Sequence, residues 1–364
     1  MTHAASVEAL QAAVKTAAAE GRALRVRGGG TKDFYGQSLQ GDVLDTRAVS
    51  GIVAHEPSEL VITVRGGTPL ADVEAALAGA GQILPFEPPH FGPGATIGGA
   101  VAAGLAGPRR AASNGYYGSI RDFVLGVKLL DGRGEVLSFG GQVMKNVAGY
   151  DVSRMIAGSL GTLGVILEVS LKVLPRPVAT RTLKLAIRNQ AQAIEKLNQW
   201  GGMPLPLTAS AWFDGELVLR LEGAEAAVAS ATGKLGGEVV DMSQAERFWQ
   251  GVRAQTDPFF AGDAPLWRLS VPSTAIPLDV AGSQFIEWGG ALRWLRATAS
   301  AAEIRKAALR TGGHATLFRA DAATRAATPV FTPLDPVLAR IHARLKQTFD
   351  PHGVFNRGRL YAEF

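Results

Sequence analysis

Leu24-Arg25-Val26-Arg27-Gly28-Gly29-Gly30-Thr31-Lys32 alternates apolar and basic residues for four positions and then breaks into three glycines. The alternation reads as a short strand. The glycines read as a loop whose successive amide N–H groups can converge on an anion. Thr31 adds a hydroxyl donor, and Arg27 or Lys32 can offset negative charge. A tight hairpin accounts for the same residues, so the weight lies in what else the chain carries. The spacing is not that of a G-x-G-x-x-G turn opening a helix, and no G-x-x-x-x-G-K-[ST] occurs.

Two more small-residue stretches follow. The first is Gly92-Pro93-Gly94-Ala95-Thr96-Ile97-Gly98-Gly99-Ala100, continuing to Gly104 and ending at Arg109-Arg110. The second is Gly158-Ser159-Leu160-Gly161-Thr162-Leu163-Gly164-Val165-Ile166, which leads straight into a strand. Small residues let a planar or charged ligand approach the backbone closely, and Arg109 and Arg110 can answer a pyrophosphate. Close packing of helices and loops is the other use of such stretches. Upstream of the last one, Met144 to Asp151 places polar residues among apolar ones, reading as a buried neighbourhood in which Tyr150 and Asp151 need partners. Three loops in order carry more than any one alone.

The intervening chain supplies the elements. Val7, Leu10, Val14 and Ala17 have helical spacing, closed by Gly21. Leu60 to Arg65 reads as a strand, and Pro69 to Leu77 as a helix with Thr68 as its N-cap. Phe123–Leu130 and Glu135–Phe139 flank Asp131-Gly132 as a hairpin, and Leu163 to Leu174 is nearly continuous strand up to Pro175-Arg176-Pro177. Beyond that point strand, helix, hairpin and helix succeed one another, as in an antiparallel α+β domain.

Composition bounds the rest. In 364 residues, 47% are hydrophobic and 19% charged, enough for a full core. A net charge of +5 is spread without basic blocks, which speaks against a nucleic-acid partner. With no cysteine, the chain has no disulfide, no thiolate metal site, no cysteinyl iron–sulfur cluster and no cysteine-linked flavin. The six histidines at 3, 55, 90, 314, 342 and 352 lack metal-ligand spacing, so no metal is expected. The longest small-apolar run, Ala95 to Gly107, is too short to span a bilayer. The start lacks a signal peptide's basic and apolar regions, which points to a cytoplasmic protein.

The motifs together resemble the FAD-binding domain of the vanillyl-alcohol oxidase and p-cresol methylhydroxylase (PCMH-type) superfamily. The resemblance rests on Arg27–Thr31, Gly94–Gly99, Tyr117-Gly118 with Arg121–Gly126, Lys145-Asn146 with Gly149-Tyr150-Asp151, and Gly158–Val165, over roughly residues 20 to 177. Within it, Trp288-Gly289-Gly290 and the closing Phe355-Asn356-Arg357-Gly358-Arg359 make the chain most similar to the smaller flavin-binding subunits of bacterial glycolate oxidases. The resemblance implies an α+β fold: a two-subdomain FAD domain over 1–177, a small antiparallel-sheet cap over 178–320, and a tail over 321–364 packing back on the FAD domain. It implies non-covalent FAD, with the pyrophosphate on Gly28, Gly29, Gly30, Thr31 and Lys32 beside Arg27. Gly94, Ala95, Thr96, Ile97, Gly98, Gly99, Arg109, Tyr117, Gly158, Gly161, Thr162, Gly164 and Val165 would line the remainder. Histidine-linked flavins make His90 the residue to watch.

Departures from the family shape the functional expectation. Relatives that oxidise 2-hydroxy acids usually carry glutamate where this chain has Leu160, and a histidine–glycine–aspartate–glycine–asparagine–x–histidine motif that is absent here. Its nearest counterpart is Gly312-Gly313-His314. The catalytic residues are therefore unassigned, with His314 as a weak base candidate and Arg293 and Arg357, beside Arg296, Arg319 and Arg359, as carboxylate-binding candidates. The resemblance implies glycolate oxidation to glyoxylate in a complex with a larger flavin-binding subunit and an iron–sulfur subunit, peripheral at the inner membrane through that complex. A self-sufficient 2-hydroxy-acid oxidoreductase and a non-redox assembly subunit are the competing readings.

Overall fold

A computed structural model describes residues 3–110, 117–141 and 150–363. Two sheet systems stand side by side. The first joins a parallel pair, Leu24–Arg27 with Asp42–Asp45, to a five-stranded antiparallel sheet. The order in that sheet is Ile52–Glu56, Val61–Arg65, Val165–Lys172, Val124–Leu130, Val136–Gly140. Its central strands are apolar on both faces because helices Leu70–Gly79 and Ile97–Ala103 pack against Ile62, Val64, Val127 and Val169. The first helix, His3–Ala19, buries Leu10, Val14 and Ala17 against the parallel pair. Gly21 closes it at φ +65°.

The helix Leu70–Gly79 begins one residue later than its sequence suggests. Pro69 is its N-cap, and the Thr68 hydroxyl instead bonds across the preceding turn, accepting from Gly51 N (2.8 Å) and donating to Arg65 O (2.7 Å). Tyr150 is also unlike its expected environment. It is 98% exposed, while Asp151 caps the short helix Val152–Met155 through Arg154 N. Tyr150 and Asp151 thus belong to a capped surface turn rather than a buried pair. Lys145, Asn146 and Gly149 lie outside the described residues.

The second system is an eight-stranded sheet whose strands come from residues 179 to 319. From the edge strand Glu238–Val239 its order runs Ala179–Ala186, Glu216–Gly223, Leu207–Phe213, Ser283–Glu287, Leu292–Arg296 and Leu266–Ser270 to the opposite edge, His314–Arg319. Asp214 and Gly215, both at positive φ, close the tight hairpin between two of them. Period-two alternation divides the sheet's side chains cleanly. Leu217, Leu219 and Leu221 pack under helices Gln190–Gly201 and Glu225–Leu235, and Leu269 and Leu295 under Ala301–Arg310. The intervening residues Val218, Arg220, Glu222, Arg268 and Trp294 turn the other way, towards the first system.

Aromatic residues fill that seam. Trp249, Phe259, Phe260, Phe285, Trp288, Trp294 and Phe318 pack with Tyr35, Ala103, Leu105 and Leu160 in one buried cluster. Beside it lies a buried ion network. Arg220 holds Glu87 through both guanidinium ends (3.0 and 2.9 Å), and Arg109 holds Glu222 (2.7 and 3.0 Å) and Glu87 (3.2 Å). The last helix, Pro336–Phe349, returns the chain to the first system, where Phe355 bridges to Leu24.

Candidate functional site

The strand Leu24–Arg27 delivers the three-glycine loop to the wall of a cleft. Val26 through Asp33 line it together with Leu39, Thr96, Gly99, Ala102, Ala103, Leu160, Asn356 and Arg359. The amides of Gly28, Gly29, Gly30, Thr31 and Lys32 donate to no other described residue. Five consecutive donors are thus left for something else, since buried or half-buried amides need acceptors. The loop is held to this shape from behind. A Cβ on Gly29 would lie 1.5 Å from Gly94 O, so no other residue fits there without moving the second glycine stretch.

Positive charge surrounds the donors. Lys32 Nζ reaches the His90 carbonyl (3.3 Å) and the Thr31 hydroxyl (3.5 Å) and lies over the Phe91 ring, and burial, with Arg253 nearby, lowers its pKa to about 8. Arg27 is paired with Asp33 at 2.9 Å. Arg359 donates to the carbonyls of Lys32, Asp33 and Gln37, which holds its guanidinium beside the loop.

The C-terminal motif is what ties the loops together. Asn356 accepts from Val26 N (2.8 Å) and donates to Leu160 O (2.6 Å), joining the first and third glycine stretches through one amide. Lys346 spends its three donors on Thr162 O, Phe355 O and Asp350. Asn356 and Arg359 lie some three hundred residues from the loop they hold. Their motif supports the family resemblance, but nothing local in it shows which loops it clamps.

Of the residues expected at the site, Arg27, Gly28, Gly29, Gly30, Thr31, Lys32, Thr96 and Gly99 line the cleft. Gly94, Ala95, Ile97, Gly98, Gly158, Gly161, Thr162, Gly164 and Val165 are not among its lining residues. Gly98 donates to Gly66 O, Ile97 and Ala95 are core residues, and a Cβ on Gly161 would meet the Asn356 side chain at 2.8 Å. Only Leu160 of the third stretch reaches the cleft, from a left-handed backbone at φ 51°.

Arg109 is engaged elsewhere. Its guanidinium is taken by Glu222 and Glu87 and does not line the cleft, and Tyr117 packs against it rather than against the cleft. The two carboxylates that claim it come from the strand Glu216–Gly223 and from residue 87, a pairing that local sequence does not reveal.

The catalytic candidates disperse. Arg293 sits between Leu292 and Trp294, so the pleat turns it to the sheet's helix-covered face, where it donates to Gly290 O and Ala275 O. Arg357 bonds Gly353 O and Gly21 O, away from the cleft. Arg296 staples the loop at 259–264 through its carbonyls. His314 opens an edge strand and is exposed. His90 is paired with Glu74 at 3.0 Å.

Between the two sheet systems a second pocket is lined by Phe91, Arg253, Arg268, Glu287, Trp294 and Phe318. Burial pushes Glu287 up to about 8 despite a 2.7 Å hydrogen bond from the Trp294 indole. The clear space is about 20 Å³, which is room for about one water.

These features define a class before any particular relative. Residues 2–140 match the FAD binding domain family. A solved alkyldihydroxyacetonephosphate synthase aligns over 96% of this chain and 75% of its own at TM-score 0.66 and 15% identity, a likeness of fold. The sequence is then 50% identical to glycolate oxidase subunit GlcE of Escherichia coli (strain K12) over 98% of this chain and 97% of that protein. It is 32% identical to glycolate oxidase subunit GlcD of Bacillus subtilis (strain 168) over 41% of this chain and 31% of that one. The chain belongs to the FAD-binding family that includes GlcE. It is an FAD-binding flavoprotein and one subunit of an oxidoreductase complex. No helix among the described residues is long and apolar enough to cross a membrane.

Proposed function

We propose that this chain is the smaller FAD-binding subunit of a glycolate-oxidising complex, holding its flavin non-covalently while glycolate is oxidised to glyoxylate on the larger flavin subunit. An iron–sulfur subunit takes the electrons onward, since a chain without cysteine cannot bind such clusters through thiolates. The observation that carries the flavin assignment is the run of free amides from Gly28 to Lys32. With Thr31, Lys32 and Arg359 beside it, this donor set suits a pyrophosphate, whose oxygens are acceptors only. Bound FAD supplies two-electron acceptance and stepwise release. The protein's part is to grip the phosphates, exclude water behind Leu160, and hold the loop rigid through Asn356 and Arg359.

Two features favour a substrate site elsewhere. Oxidation of a hydroxy acid needs a base and a cation converging over the flavin. His314, Arg293 and Arg357 do not converge, and the seam between the sheets is packed with aromatic rings around a one-water space. Non-covalent attachment is supported by the absence of histidine from the first loop and by the engagement of the His90 ring with Glu74.

The test is a visible spectrum of the purified chain, recorded anaerobically before and after glycolate. A flavin band that glycolate leaves unbleached, that is released into the supernatant on acid precipitation, and that bleaches once the other subunits are added is the expected result. Bleaching of the isolated chain would make it a self-sufficient enzyme, and a colourless chain would make it an assembly subunit.

A further inference from the structure

The pocket between the two sheet systems contains polar groups that the fold leaves unused. Gln255, Arg268 and Glu287 line it from the second system, against Phe91, Leu105 and Gly107 of the first. Gln255 stands just past the helix Met242–Ala254, at φ 55°. Its side-chain oxygen is buried and accepts no hydrogen bond, and its side-chain nitrogen donates none among the described residues. A buried amide left this way is costly unless something outside the chain meets it. Arg268 is in the same position. It rests over the Trp288 ring, 5.2 Å from the centroid, and no described residue takes a hydrogen bond or an ion pair from its guanidinium.

The charges around the pocket do not cancel. Glu87 and Glu222 are matched by Arg109 and Arg220, and Glu74 by Arg253 and His90. Arg110 and Arg268 are left, both over the Trp288 ring. Asp122, which acts on Arg110, is held by the cap at Ser119. Glu287 is the carboxyl that acts on Arg268, yet no ion pair joins the two among the described residues. Burial lifts the Glu287 pKa to about 8, so at pH 7 it is mainly neutral and does not balance the guanidinium. Burial also lowers the Arg268 pKa, as it does for a cation short of both water and a counter-charge.

We infer that this pocket binds a monatomic anion, a halide such as chloride, held by the Arg268 guanidinium and the Gln255 amide. The clear space of about 20 Å³ takes one water-sized body. Chloride is close to that size, whereas a carboxylate or a phosphate is larger. A water would meet the hydrogen bonds and leave the charge of Arg268 unanswered. No partner fixes the orientation of the Gln255 amide, so a half-turn presents its NH₂ to the ion. Neutral Glu287 adds no repulsion and keeps its bond from the Trp294 indole. Because the lining comes from both sheet systems, the ion ties them together.

The test uses the full chain purified with its flavin, crystallised and soaked in potassium bromide, whose anomalous scattering marks the ion. A bromide peak between Arg268 and Gln255 is the expected result. In solution the melting temperature should rise by about 2 °C or more in potassium chloride over potassium gluconate, and the rise should saturate. Equal ionic strength in the two salts removes screening from the comparison. Arg268→Gln should lose both the peak and the rise. Gln255→Glu keeps the shape of the side chain and sets a carboxylate of the chain beside Arg268. It should melt in gluconate as the wild type does in chloride, and it should ignore halide. This second variant reports even where the first does not fold, and a purely structural Arg268 would not produce its result. A water without anomalous signal in the wild-type pocket overturns the inference, and so does a chloride rise that survives in both variants. Bromide that enters only after the flavin has been stripped assigns the pocket to the flavin and overturns the inference equally.

Discussion

At the scale of single residues, the cleft separates two kinds of glycine and two kinds of cation. Gly29 is required by its neighbour, because its missing Cβ makes way for Gly94 O, whereas Gly28 to Lys32 together matter for their free amides. Arg109 and Lys32 look alike in the sequence, each a basic residue beside a glycine run. Only the fold shows that Arg109 is claimed by two carboxylates and that Lys32 is not. Lys32 has a further property that no local pattern announces, since burial beside Arg253 brings its pKa to about 8. A charged ammonium attracts a phosphate and a neutral amine does not, so flavin affinity should fall as pH rises from 7 to 9. Lys32→Met should bind about tenfold more weakly at pH 7, near the lower end of what a hydrogen bond to a charged group contributes. Its affinity should also be flat across that range, and a fluorescence titration of apoprotein with FAD at several pH values checks both outcomes.

At the scale of elements, most strands and helices follow from periodicity. Leu10, Val14 and Ala17 define the first helix, and the Asp214-Gly215 turn defines its hairpin. Misjudged positions are those where a side chain bonds out of sequence order. The Thr68 hydroxyl left its helix for the turn at Gly51, and Asp151 capped a surface helix instead of joining a buried pair. The helix Pro336–Phe349 is the clearest case, since its role depends on Lys346, a residue that reads as solvent-facing. Lys346 is 8% exposed and joins Thr162 O, Phe355 O and Asp350, whose carboxylate also receives Val354 N and Phe355 N. Replacing Lys346 with Met leaves Asp350 buried without its counter-charge, at a cost of about 3–5 kcal/mol. Urea denaturation followed by circular dichroism should show that loss, and the variant should lose flavin earlier in the titration than the wild type does.

At the scale of the whole molecule, the sheet systems are joined by aromatic packing and by the Glu87–Arg109–Arg220–Glu222 network. The α+β class and the FAD-binding half were legible because their signals are contiguous. The seam was not, because its partners lie 113 and 133 residues apart in the chain. Burial alone would raise the Glu87 pKa, but Arg109 and Arg220 overrule it and hold the carboxyl at about 2. A carboxylate whose folded pKa is depressed adds stability above its unfolded value of about 4.5, and that stability is lost as pH falls through the range towards 2. Unfolding measured from pH 6 to pH 2 should therefore steepen below about 4.5. Glu87→Gln should be destabilised by about 3–5 kcal/mol at neutral pH, with two guanidinium groups left without that partner. It should also lose this part of the acid dependence.

The clamp of Asn356 and Arg359 on residues 26 to 37 has a consequence in time as well as in space. A ribosome makes the glycine loop long before its clamp, since Val26 and Asn356 lie 330 residues apart. Over that whole interval the nascent chain carries an unfinished cradle, and the grip on the flavin is completed only after Arg359 has left the exit tunnel.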